Sequence, residues 1–271
     1  MTTPAASGAG GFTVAWINNS YRRAGAATAL PAADAAKIVE ALNLQNTDMV
    51  AAWGEAKRAT HVLVADAARA PDKAVLAYFL YNADVAGALG YHDTDPHGNP
   101  FIRVFVETVL SNGGTTLTGS LSVSVCAGHE ADEEAADPSC TATATAPNGD
   151  VWALEVSDPV ESASYNVRLA DGSQVAVSDF VYPSFFQAGG QPPFDHLGAV
   201  TAPFTIAQGG YAIINNQSVF GNQAGAGASS NRQAAGYPEW RWQTKIFPRS
   251  RTARRMSHLL AQGPQQNPFE E

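Results

Sequence analysis

The sequence predicts an α+β fold, and three observations support this prediction. A long segment near the N-terminus has apolar residues at helical spacing, which is typical of an amphipathic helix. Short β-branched and aromatic segments follow it and are typical of buried strands. Beyond about residue 150, short apolar segments alternate with turn residues, so the second half is predicted to be rich in β-structure. With 271 residues, 45% of them hydrophobic, the chain can bury a substantial core.

The first predicted elements are a strand and a helix. The strand lies in FTVAWINN, after a featureless extension over residues 1–11. The helix lies in LPAADAAKIVEALNLQNTDMVAAWG, where Pro31 suits a first turn and Gly54 suits a stop. Three further strands are predicted in THVLVAD, KAVLAYFLYN and FIRVFVETVL. The segment GYHDTDPHGNP is dense in turn residues and is predicted to be a loop.

A second helix is predicted from a spacing of four positions between successive residues of a series. On a helix, this spacing places their side chains along one stripe, and the series is Leu117, Leu121, Val125, His129 and Glu133. The pair Asp137-Pro138 is predicted to end this helix. Strands are predicted in DVWALEV, YNVRLADGSQVAVSDF and GGYAIIN, and ADGS is a suitable hairpin turn.

The segment HEADE within this helix is a variant of the zinc-binding pattern HExxH. In HExxH, two histidines four residues apart bind one ion, and the glutamate after the first activates water. Here Glu133 replaces the second histidine, and carboxylates also suit harder ions. The sequence therefore predicts one divalent metal, zinc or a harder ion such as calcium, bound by His129 and Glu133 with Glu130 as the catalytic base.

A third ligand must come from elsewhere in the chain, and Glu155 is the preferred candidate. Asp158 is placed to contact and orient a metal-binding side chain without binding the metal itself. Asp137 and His92 are alternative ligands. A different interpretation needs no metal, because the five acidic residues between Glu130 and Asp137 also fit a solvated helix face.

The charge of the chain is unevenly distributed. Residues 1–240 hold ten basic and 23 acidic residues, a net charge of −13, whereas residues 241–271 carry a net charge of +4. The preceding segment, FGNQAGAGASSNRQAAG, has too few apolar residues to offset the entropy of its own ordering. We therefore expect residues 216–271 to form an arm that is ordered by neighbouring subunits.

The basic residues of this arm are candidates for partner binding: Arg241, Lys245, Arg249, Arg251, Arg254 and Arg255. Interleaved with aromatic residues, they are typical of protein interfaces and also of nucleic-acid binding. Docking on the acidic body of another subunit is the preferred interpretation. The sequence has no apolar run of about 18 residues and no secretory signal at its start, so no membrane partner is expected. Its two cysteines, Cys126 and Cys140, could be bridged or reduced.

Several segments together resemble a family of mostly uncharacterised proteins from tailed phages and bacterial genomes. They include LSVSVCAGHEADEEAADP, ALEVSDPVESASYNV and the end SRTARR. The resemblance implies a metalloprotease-like core over residues 12–215, with helices packed on a small mixed sheet. It also implies that the six motif positions are those of His129, Glu130, Glu133, Asp137, Glu155 and Asp158.

The chain departs from the family pattern beside the motif. Gly128 stands where the family has serine, and Ala131 and Asp132 stand where it has large apolar residues. These departures predict a degenerate site. Together with the resemblance, the low-complexity segment and the separate basic tail predict a structural component of a phage virion, in the head, neck or tail, made in the host cytoplasm. Its expected partners are other virion proteins and copies of itself. The alternatives are an active zinc peptidase carried on the particle and a nucleic-acid-binding accessory protein.

Overall fold

The first half of the chain builds a mixed five-stranded sheet in this computed structural model, which describes residues 11–84 and 88–221. The strands are β1 (Phe12–Asn19), β2 (Ala59–Val64), β3 (Val75–Leu80), β4 (Gly90–Thr94) and β5 (Pro100–Phe105). Their order is β2-β1-β3-β5-β4. The first four in this order are parallel, and β4 runs antiparallel to β5 at one edge. This arrangement places β4 beside the helix that carries the candidate site.

Two long helices pack on one face of this sheet. They are α1 (Ala32–Trp53) and α3 (Val123–Ala136), while α2 (Val106–Ser111) is a short helix directly after β5. Val14, Phe79 and Val104 from the sheet share one core with Ile38 of α1 and Ala127 of α3. Pro31 precedes α1 and Gly54 follows it, as the sequence predicts. Burial of these apolar side chains fixes both helices against the sheet.

The second half of the chain consists of strands and single turns of 3-10 helix. The strands are β6 (Thr143–Thr145), β7 (Val151–Ala153), β8 (Ser164–Arg168), β9 (Gln174–Ser178), β10 (Tyr211–Ile214) and β11 (Gln217–Phe220). A four-stranded sheet has the order β11-β10-β7-β6, and β8 and β9 form the predicted hairpin. This hairpin contacts both long helices. The five-stranded sheet of the first half covers the opposite side of the same two helices. The helix α3 therefore lies in the middle of the protein.

The α+β prediction is confirmed, but some element boundaries are different. The segment predicted to be a loop begins with β4, whose residues Gly90–Thr94 pair with β5. The second helix starts at Val123, so Leu117 and Leu121 precede it. Ser122 supplies the reason, because its Oγ accepts a hydrogen bond from Val125 N and caps the helix there.

The folded region extends slightly beyond the predicted boundary at residue 215, since β11 pairs with β10. The predicted C-terminal arm, including its six basic residues, lies almost entirely outside the residues that the structure describes. Within the described ranges, no helix combines the length and apolar character needed to cross a membrane.

Candidate metal centre

The helix α3 is buried along its whole length, and this contradicts the interpretation of a solvated acidic face. All 14 of its residues are buried, including Glu130, Asp132, Glu133 and Glu134. Lys57 Nζ donates a hydrogen bond of 2.8 Å to Ala136 O at its C-terminal end, where a cation is favourable. Ionised carboxylates are costly to bury without compensation, so α3 carries them for a reason other than solubility.

Side chains from three parts of the fold converge beside α3. We call this set the histidine–carboxylate cluster, and its members are His92, His129, Glu130, Glu133, Glu155 and Asp158. His92 comes from β4, and three members come from α3 itself. Glu155 follows β7, and Asp158 begins a turn of 3-10 helix. The cluster thus combines residues separated by up to 66 positions in the chain.

One side of the cluster centres on His129. Its Nε2 lies 3.2 Å from Glu133 Oε1 and 3.1 Å from Asp158 Oδ1. These three residues offer ligand atoms that all lie within 4.8 Å of one another. His129 has a side chain that is 9% exposed, whereas those of Glu133 and Asp158 are fully buried, so solvent approaches this side past His129.

The other side centres on His92. Its Nδ1 lies 3.3 Å from Glu133 Oε2 and 3.4 Å from Glu130 Oε2, and these residues form a second group of possible metal ligands. Its Nε2 lies 3.9 Å from Glu155 Oε2, which is too long for a hydrogen bond. The buried groups on both sides could therefore hold a metal ion, through imidazole nitrogen and carboxylate oxygen.

The loop that carries Glu155 and Asp158 is fixed by contacts with several neighbouring segments. Val156 is fully buried, and its carbonyl oxygen accepts a hydrogen bond of 2.7 Å from Val181 N. Ser157 Oγ donates to His129 O over 3.3 Å, which joins the loop to α3. At Gly210, an added Cβ would lie only 2.2 Å from Pro159 O. Gly210 therefore lets β10 approach the turn that presents Asp158.

Two glycines make room for α3 and its side chains. A Cβ at Gly90 would lie 3.2 Å from Glu130 Oε1, so this glycine leaves space for Glu130 beside β4. A Cβ at Gly128 would lie 2.5 Å from Gln45 Oε1. Gly128 therefore permits a close approach of α1 to α3 at this position.

Burial and charge shift the titration of groups in and around the cluster. Burial alone lowers the pKa of His92, but Cys140, Glu130 and Glu133 outweigh it and raise that pKa well above its usual value. Burial raises the pKa of Glu134 to about 8. By contrast, burial lowers the pKa of His61 to about 3, and its Nδ1 accepts a hydrogen bond from Trp16 Nε1 in the core. His61 is thus a neutral core residue, whereas His92 faces carboxylates.

The structure brings together most of the predicted site residues but gives Asp137 a different position. Its carboxylate accepts hydrogen bonds from Ala142 N and Ser139 Oγ, so it organises the turn after α3, and it is in neither ligand group. Asp158 and His92, predicted as supporting or alternative ligands, are each in a ligand group. Cys126 and Cys140 are both buried, and no disulfide joins them.

Sequence reasoning missed a second set of buried carboxylates, which we call the aspartate network: Asp132, Asp179 and Asp195. Gln45 Nε2 donates to Asp132 Oδ2 over 2.6 Å. Asp195 accepts hydrogen bonds from Ala199 N and Val200 N, and Asp179 Oδ1 accepts one from Phe180 N. Burial and the neighbouring Asp195 raise the pKa of Asp179 to about 8. The available signal was SDFVYP and FDHLG, where single acidic residues interrupt apolar segments.

The chain was also compared with known proteins: no protein-family model matches it, and neither the curated proteins nor the solved structures contain a match.

Proposed function

We propose that the protein is a metal-dependent hydrolase, with a peptide as its substrate, built on the HExxE segment of α3. The observation that carries this proposal is the convergence of His129, Glu133 and Asp158 in one buried ligand group. Glu130 directly follows His129 on α3. Three protein ligands that leave a further position open are typical of catalytic metal sites. The order of α1, sheet and α3 also agrees with the metalloprotease-like core that the resemblance implies.

In this proposal, His129, Glu133 and Asp158 hold a divalent cation. A bound cation of this kind lowers the pKa of water and polarises a substrate carbonyl. Glu130 takes a proton from the attacking water and gives it to the leaving amine, so that one water is consumed as the C–N bond breaks. His92, 3.4 Å from Glu130 Oε2, holds that carboxylate in place, and burial of α3 keeps other water away.

The proposal is tested by metal analysis and by hydrolysis of labelled casein. The purified protein should contain zinc or manganese in whole-number stoichiometry, and Glu130→Gln should reduce kcat by a factor of about 10² to 10⁴. Asp137→Asn is the matched control, since Asp137 is a buried acid near the end of the same helix but in neither ligand group. It should retain activity. Absence of stoichiometric metal, or equal activity of Glu130→Gln and wild type, would contradict the proposal.

The virion role stays a prediction of its own, because the arm on which it depends lies outside the described residues. A peptidase carried on a virion would satisfy both the proposed hydrolase activity and the predicted virion role. Deleting residues 222–271 preserves β11 and should prevent incorporation into particles. If the shortened protein is incorporated normally, docking through the arm is wrong. Retention of the full chain on heparin that falls steeply with salt would favour nucleic-acid binding instead.

A further inference from the structure

We infer that the histidine–carboxylate cluster is a two-metal centre in which Glu133 bridges two divalent cations. This inference rests on the proposed metal binding but goes beyond it, since a single ion was expected from the HExxE pattern. It arises from the way in which the two ligand groups meet. They share one residue, Glu133, and are otherwise composed of different residues.

The two carboxylate oxygens of Glu133 face different histidines. Oε1 lies 3.2 Å from His129 Nε2, and Oε2 lies 3.3 Å from His92 Nδ1. A carboxylate that presents one oxygen to each of two ligand groups is suited to bridge two ions, which in two-metal sites lie about 3.5–4 Å apart. Neither ligand group contains both histidines, so an ion bound in one group would leave the histidine of the other group uncoordinated.

Each side also supplies one further carboxylate to its own histidine. Asp158 Oδ1 is 3.1 Å from His129 Nε2, and Glu130 Oε2 is 3.4 Å from His92 Nδ1. Both sides therefore offer one imidazole, one carboxylate of their own and one oxygen of Glu133. Because Glu130 would then be a ligand, the two cations would supply the attacking hydroxide, and the role of Glu130 as base would apply only to a site with one ion. This matched composition favours two similar ions, of a kind that accepts mixed nitrogen and oxygen ligands, such as Zn²⁺ or Mn²⁺.

Glu155 lies next to the His92 side but is in neither ligand group. Its Oε2 lies 3.9 Å from His92 Nε2, the ring nitrogen that points away from Glu130 and Glu133. Metal-binding histidines usually donate their other ring N–H to a carboxylate, which fixes the tautomer. Glu155, predicted from the sequence to be a ligand, is in neither ligand group, and at 3.9 Å it lies beyond hydrogen-bond distance of His92 Nε2.

The test is the metal stoichiometry of the full chain after equilibration with Zn²⁺ or Mn²⁺ and removal of excess ion. Wild type should bind two ions per chain. His92→Gln and His129→Gln should each bind one, because each variant loses the histidine of one side and retains the other side. Glu134→Gln, a buried neighbour outside both ligand groups, should still bind two.

Electron paramagnetic resonance of the Mn²⁺-loaded wild type gives a readout that does not depend on the folding of a variant. Two bridged ions should give an exchange-coupled spectrum. One ion per chain with an uncoupled spectrum would overturn the two-metal inference while leaving the proposed function intact, whereas no bound ion would overturn both. The Glu130→Gln variant tests whether Glu130 is a metal ligand. A stoichiometry of one ion per chain supports this assignment, and a stoichiometry unchanged from wild type overturns it.

Discussion

The protein buries carboxylates in two adjacent regions and stabilises them in different ways. In the aspartate network, amide groups of the protein itself donate to the carboxylates, as Gln45 does to Asp132 and Val200 N does to Asp195. In the histidine–carboxylate cluster, carboxylates instead surround two imidazole rings at 3.1–3.4 Å. Hydrogen bonds from amide groups offset the cost of burying a carboxylate without a cation, whereas neutral imidazole and carboxylate are both ligands for a cation. The comparison shows that burial alone does not identify a functional acid, and that the neighbours of the acid decide its role.

The largest expected difference between the regions is their response to metal. At a free Zn²⁺ concentration about 1,000 times the dissociation constant, binding should stabilise the wild type by about 4 kcal/mol. Glu133→Gln should remove most of this gain, because Glu133 belongs to both ligand groups. Thermal unfolding with Zn²⁺ and with a chelator measures the effect.

Glu134→Gln is the matched control for this experiment, since Glu134 is the next buried residue of α3. Its pKa of about 8 means that it is mostly protonated at pH 7, so a neutral amide should change little. An equal metal response of Glu133→Gln and wild type would show that the cluster stabilises its acids without a cation.

Gly210→Ala should disturb the cluster through the backbone. The added Cβ would lie 2.2 Å from Pro159 O, so the turn that presents Asp158 must shift. We expect a loss of about 1–3 kcal/mol in the free energy of unfolding, together with weaker metal binding. Denaturant unfolding and metal titration measure the two effects. Weakened stability with unchanged metal affinity would mean that Asp158 is not needed as a ligand.

Gln45→Met should destabilise the aspartate network and leave metal binding unchanged. Methionine fills a similar volume but cannot donate to Asp132 Oδ2 or Ser178 O. We expect a loss of about 1–3 kcal/mol, the usual consequence of leaving buried acceptors without a donor. The control is Lys37→Met on the same helix, which removes a partly exposed ion pair with Asp171 and should cost at most about 1 kcal/mol. A change in metal stoichiometry of Gln45→Met would show that the two regions are coupled.

Asp179→Asn should alter the pH dependence of stability. The pKa of Asp179 is about 8 in the folded protein, compared with about 4 in an unfolded chain. Between these values the unfolded chain releases a proton that the folded chain retains, so stability falls as the pH rises through this window. The asparagine cannot ionise.

The stability of the variant should therefore fall less than that of wild type between about pH 5 and pH 8. Denaturant midpoints across this range measure the difference. Parallel curves for the two proteins would show that Asp179 does not retain its proton on folding.

Much of the secondary structure was predictable because it depends on local chemistry. The apolar spacing of α1, the β-branched segments of β2 and β3, and the ADGS turn between β8 and β9 all act over a few residues. The strand β4 was missed because its turn residues follow it directly, and pairing with β5 outweighs their preference. The start of α3 was placed too early because the four-residue repeat ignores the cap at Ser122.

The candidate site was predictable only where it is local. His129, Glu130 and Glu133 lie within one turn of helix, so their spacing alone placed them together. His92 and Asp158 were candidates without a defined place, since nothing in their neighbouring residues states what they contact. The choice of Glu155 over Asp158 as the third ligand was not supported by the geometry, because the buried Val156 between them anchors a loop that turns Asp158 toward His129.

The sequence by itself determined an α+β chain with a HExxE helix, because helical spacing and strand composition act through neighbouring residues. Only the tertiary structure decided that this helix is central, that its acids are buried, and that Glu133 lies between two histidines. The physical reason is that α3 is covered by the sheet on one side and by the β8–β9 hairpin on the other. Such packing depends on contacts between distant parts of the chain, and no local pattern encodes it.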